Sequence, residues 1–188
     1  MRSVPLLGGS LILAAALLGS ACNSTLGPPT ASVDNVIDTV TLYALTGTPV
    51  GTPSAYSIEG PAPTPVRTDS VPAFDFAFDL VSGQAYLYPQ GALPGILRSS
   101  ALQYGPSFDA VTTAPGAGWN DTTALSVDVG TPVVVRSRAI LCDYGATVYE
   151  YAKLEVLAID TTARTINFRI LADVNCGYRD LNVGIPSH

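Results

Sequence analysis

The segment Ala73–Leu80 (AFDFAFDL) limits the fold more than any other stretch of the chain. Phe74, Phe76, Phe78 and Leu80 alternate with Asp75, Ala77 and Asp79. That period of two belongs to a strand with one apolar face, and a helix would scatter the same aromatics around its axis. Composition points the same way. The 188 residues include one Lys (Lys153) and three Glu (Glu59, Glu150, Glu155), against 17 Gly and 15 Pro. Few strong helix formers, many chain breakers and abundant Val, Thr and Tyr predict β structure.

Further strands follow along the chain. Val36–Leu45 is rich in β-branched residues and reads as the first. The Pro/Gly-rich stretch from Thr46 to Pro65 crosses an end of the sheet, with one short strand near Ala55–Ile58. Ser82-Gly83-Gln84 turns the Phe-rich strand into Ala85–Tyr88 as a hairpin. Ala101–Tyr104, Thr123–Val127 and Val133–Arg138 are further strands, and Phe108–Thr112 is a single helical turn. Tyr151–Ile159 and Thr165–Leu171 form a hairpin through the tight connection Asp160–Arg164. In it Leu154 and Val156 face the same core as Ile166, Phe168 and Ile170, while Lys153, Glu155, Asn167 and Arg169 point to water. About eight to ten antiparallel strands predict an all-β fold, an antiparallel β-sandwich or partly open barrel, in a single domain over residues 36–188.

Residues 1–21 have a different character. Arg2 gives a short positive start, Leu6 to Leu18 an apolar core, and Gly19-Ser20-Ala21 small residues before Cys22. This is the layout of a signal peptide, and the apolar run falls short of the roughly 18 residues that span a bilayer. A cysteine at the cut site resembles the lipobox of bacterial lipoproteins, with Gly19 where that family usually has Leu. The resemblance implies acyl chains such as palmitate on Cys22 and attachment to the cell envelope. Residues 22–35, small, polar and Pro-bearing, then read as a tether from lipid to domain. Asn23 rather than Asp after Cys22 resembles the pattern sent on to the outer membrane.

With Cys22 lipidated, Cys142 and Cys176 remain as an even pair in an oxidising compartment, which favours a disulfide between them. A metal site is the competing reading. It needs two more soft ligands, and the only histidine is the terminal His188. Loss of the leader removes Arg2 and no acid, so nine basic residues become eight against fifteen acidic ones. That surface repels phosphate backbones, and no Lys/Arg run reverses the effect locally, so nucleic acid is not an expected partner.

The blocks FDFAFDL (Phe74–Leu80), VVVRSR (Val133–Arg138) and YAKLEVLAIDTTARTINFRI (Tyr151–Ile170) resemble, in order, those of HmuY-type bacterial lipoproteins. The resemblance implies a β-rich, lipid-anchored surface protein. Some members bind haem between two histidines, but this chain has no His inside the domain and no Met beyond Met1, so the axial ligands are missing and no cofactor is expected.

Catalytic chemistry finds little to stand on. A Ser-His-Asp or Cys-His set needs a positioned imidazole, which a terminal His188 does not supply. Gly116-Ala117-Gly118 lacks the phosphate-cradling pattern. Asp75 and Asp79 read as solvated residues of one strand face, about 13 Å apart, beyond the roughly 5–9.5 Å of glycosidase pairs. Asp121, Asp128 and Asp143 lie in or near loops as a calcium alternative, without EF-hand spacing. Nine Tyr and one Trp remain, suited to strand rims or to a binding face, and Tyr86, Tyr88 and Trp119 are the candidate patch. The expectation is a non-catalytic, lipid-anchored envelope module. It meets the membrane through its lipid, and an envelope protein or a small ligand through the domain. The alternatives are HmuY-like ligand capture without histidines and, third, a carboxylate-dependent hydrolase.

Overall fold

The computed structural model describes residues 30–60, 62–96, 100–142 and 145–187. The expected signal peptide, Cys22 and His188 lie outside them. The described residues form twelve strands: β1 (Ile37–Tyr43), β2 (Ala55–Ser57), β3 (Thr64–Val66), β4 (Phe76–Val81), β5 (Gln84–Pro89), β6 (Ala101–Tyr104), β7 (Leu125–Val127), β8 (Pro132–Arg136), β9 (Ile140–Leu141), β10 (Thr147–Val148), β11 (Tyr151–Asp160) and β12 (Thr165–Asp173). Two five-stranded antiparallel sheets result, ordered β1-β12-β11-β8-β6 and β3-β2-β4-β5-β7, with β9 and β10 as a separate hairpin. The fold is a single-domain β-sandwich. No helix among the described residues is long and apolar enough to cross a membrane.

Period-two side chains from both sheets meet in the middle. Val133 and Val135 of β8, Leu154 and Val156 of β11, and Ile166, Phe168 and Ile170 of β12 face Phe76, Phe78, Leu80 and Leu87. At the centre Tyr56, Phe76 and Phe168 pack edge to face or tilted, with ring centroids 5.7–6.0 Å apart, a spacing favoured by aromatic quadrupoles. The outer faces are covered too. Phe108, Val111 and Ala114 of one loop and Leu181 of the C-terminal segment lie over Val134 and Leu171. On the other sheet Phe74, Leu93 and Ile96 lie over Ala77.

Three expectations need correction here. The Phe-rich strand starts at Phe76 and not at Ala73, because the backbone bends at Asp75. The bend sends Phe74 to the outer layer while Phe76 and Phe78 stay in the core. Its cause is the Asp75 carboxylate, which turns inward to accept the backbone N–H of Ile58 at 2.7 Å and of Arg138 at 2.9 Å. Asp79 is buried as well. It accepts Thr46 N and Oγ1 and lies 3.4 Å from the Arg164 guanidinium. Neither aspartate is a solvated surface residue. Lys153 is the third case, at 5% exposure, because the 108–111 loop folds over it. Its Nζ donates to Val111 O at 2.9 Å and sits 4.6 Å from the Phe108 ring centre. Its neighbours keep the expected cross-strand pairing, Arg169 donating to Glu155 at 2.7 Å.

Asp75 just before β4 and Asp79 within it thus each face an arginine supplied by the opposite sheet, Arg138 after β8 and Arg164 before β12. Gly47, at φ 72°, leaves the space that the Arg164 side chain occupies. The N-terminal entry is fastened separately. The Asn175 carboxamide accepts from Ser32 N and Val33 N and donates to Val33 O. Asn35 and Gly184 exchange two backbone bonds.

Candidate functional site

One end of the sandwich opens into a cavity of about 570 Å³, within the range of small-molecule sites. Glu59 and Gly60 reach it from the chain after β2, Arg138 from the chain after β8, and Glu150 from the residue before β11. Ile140, Leu141 and Cys142 of the small hairpin form a further wall, with Val174 and Cys176 opposite. Cys142 and Cys176 are joined as a disulfide, with Cα atoms 5.8 Å apart, inside the usual range. That bond fastens the hairpin to the C-terminal segment at the rim of the cavity.

Glu150 is held by its own backbone. Its N–H donates to Ser137 Oγ and its carbonyl accepts Ser137 N–H, both at 2.9 Å. The side chain is 4% exposed, and its only hydrogen bond is a long one from Gly60 N–H to Oε2, 3.3 Å. Burial pushes its pKa up to about 8, with Glu59, Asp75 and Asp173 adding repulsion. Beneath it Asp75 is wholly buried. Desolvation raises it to about 6 despite the Arg138 charge and the two backbone donors. Asp173, at the end of β12, is also raised by burial, against hydrogen bonds from Asn175. Among the described residues Arg138 is the one cation lining the cavity, and it is committed to Glu59 through Nη2 with Asp75 4.0 Å from its Nε. Glu59 Oε1 and Arg138 Nη1 are buried without a hydrogen-bond partner. The arrangement offers a proton-bearing carboxyl beside an ion pair, in a partly apolar recess.

The aromatic candidates do not converge on it. Tyr86 and Tyr88 lie on the outer face of the β4–β5 sheet with ring centroids 6.3 Å apart. Trp119 lies over the outer face of the other sheet, 6.0 Å from Tyr151 and 5.3 Å from the Arg136 guanidinium. The two sets occupy opposite sides of the sandwich, so Tyr86, Tyr88 and Trp119 form no single patch. Asp121 and Asp128 belong to no group of three or more potential ligands among the described residues, and Asp143 lies outside those residues. Sequence reasoning missed Glu59, Arg138 and Glu150. A signal existed for Glu150, since it precedes Ala152, Leu154 and Val156 in the parity that faces the core. No family model matches the chain, and no curated protein and no solved structure matches it either.

Proposed function

We propose that this chain is a non-catalytic binding module of the bacterial cell envelope, held at the outer membrane by lipid on Cys22, with the Glu59–Arg138–Glu150 cavity as its ligand site. One observation carries the reading: a roomy recess with a buried, nearly unpartnered carboxyl in its wall. A fold gains nothing from such a group. Burial without a partner costs stability, so its retention there is best explained by something that binds it. Ligand capture, as implied by the likeness to HmuY-type lipoproteins, is compatible with this site if the ligand needs no histidine.

A raised glutamate beside other carboxylates also suits a hydrolase, where one acid is protonated and its neighbour ionised. The surroundings argue against it. Glu59 is tied to Arg138, and Asp75 is buried under two backbone donors. Both carboxylates nearest Glu150 are thus held by a cation or by backbone donors, which disfavours either as nucleophile or base.

The test has two arms. Thermal-shift screening of the purified domain against small polar ligands should give a stabilising hit that Glu150→Gln removes while the circular dichroism spectrum is kept. Hits that ignore Glu150→Gln and Arg138→Ala would move the site elsewhere. Separately, Cys22→Ala should release the protein from the membrane fraction and abolish acyl labelling. Membrane attachment that survives the change would sink the lipid-anchor reading.

A further inference from the structure

Given that the cavity is a binding site, we propose that its ligand is an organic cation, an ammonium or guanidinium group on an aliphatic stem, which docks against the Glu150 carboxyl. The charge balance around the recess leads there. Glu59 after β2 and Glu150 before β11 line it, and the buried Asp75 before β4 and Asp173 at the end of β12 add negative charge that acts on Glu150. Arg138 faces them as the one cation lining the cavity among the described residues, and it is already engaged by Glu59 and Asp75. Glu150 accepts a hydrogen bond among the described residues only at Oε2, and Asp173 Oδ2 is buried without a partner.

An anion entering here would find one guanidinium, already paired with Glu59, against the negative charge of the surrounding carboxylates. A bare metal ion fits poorly, because no three potential ligand side chains come together among the described residues. An organic cation needs only one or two carboxylates and can hydrogen-bond to both Glu150 oxygens. Its stem has a surface to lie on, since Ile140, Leu141 and Val174 line the same recess. The proton on Glu150 supplies the remaining chemistry. Burial keeps that proton near neutral pH, and an arriving cation makes the ionised form favourable, so binding releases the proton to solvent.

Isothermal titration of the purified domain with 1,5-diaminopentane and with Nα-acetyl-lysine amide tests this, using 1,5-pentanediol as the uncharged counterpart. Buffers of different ionisation enthalpy count the protons. We expect saturable binding of an amine and release of close to one proton at pH 7. Affinity should rise about tenfold per pH unit below about 8 and level off above it. The diol should not bind. Preference for the diamine points to a free polyamine, and preference for the lysine derivative points to a basic peptide segment. Glu150→Gln should weaken binding at least tenfold and abolish the proton release, and the release by the unmodified protein stands as evidence even if that variant misfolds. Equal binding of the diol, or amine binding without proton release, would overturn the cation while leaving the cavity a binding site. Silence of every probe, charged and neutral, would overturn both readings.

Discussion

Asp75 shows how one side chain can set both a strand boundary and the floor of a site. Its carboxylate holds the amides of Ile58 and Arg138 and lies under the Arg138 guanidinium. Asp75→Ala would leave those donors buried and unanswered, and we expect a loss of about 3–5 kcal/mol in urea unfolding. Asp75→Asn keeps an acceptor and should cost clearly less. Phe76→Ala opens the core beside Tyr56 and Phe168 and should cost about 3–5 kcal/mol in the same measurement. The alternation of Phe and Asp made the core face of Phe76 and Phe78 legible. It misplaced Phe74 and both aspartates, because a period describes only regular strand. Asp75 interrupts the strand by hydrogen-bonding residues 17 and 63 positions away. Lys153 was misread for a related reason: nothing local to it announces that Phe108 will fold over its ammonium.

Among the elements, length decided what could be read. The hairpin of β11 and β12 runs ten and nine residues, enough for its apolar parity to show, and its core residues fall where that parity puts them. The strands β3, β9 and β10 have only two or three residues, too few to carry a period. Yet β9 forms one wall of the cavity, so the site was less legible than the fold. Their hairpin pairs only with itself among the strands and depends on the Cys142–Cys176 link. Replacing both cysteines with Ser should lower stability by about 3–4 kcal/mol for a loop of this size. Hydrogen exchange should accelerate over residues 139–148 with little change in β11 and β12. Uniform acceleration across the sandwich would show instead that the link supports the whole fold.

For the molecule as a whole, the buried acids make stability depend on pH in an uncommon direction. The folded state raises Glu150 to about 8 and Asp75 to about 6, so it holds protons that the unfolded chain has already released. Their contribution is fully present below the ordinary carboxylate range and is lost as pH climbs through the raised values. Each group gives a slope of up to about 1.4 kcal/mol per pH unit within its window. Urea midpoints should therefore fall between about pH 5 and 8, and Glu150→Gln should flatten the decline above about pH 6. A midpoint that rises over that interval would mean that Glu150 ionises freely in the folded protein.

The fastening of the N-terminal entry has a mechanical side. A pull arriving at Thr30 meets the Tyr178 hydroxyl holding the Ala31 N–H, then the Asn175 carboxamide gripping Ser32 and Val33, then the paired amides of Asn35 and Gly184. Asn175 adjoins Cys176, which is cross-linked to Cys142. Drag on the N-terminal end is thus taken up next to the crosslinked Cys176 before it reaches β1, the edge strand whose peeling would open the core. The entry works as strain relief, as a cable clamp does for the joint behind it.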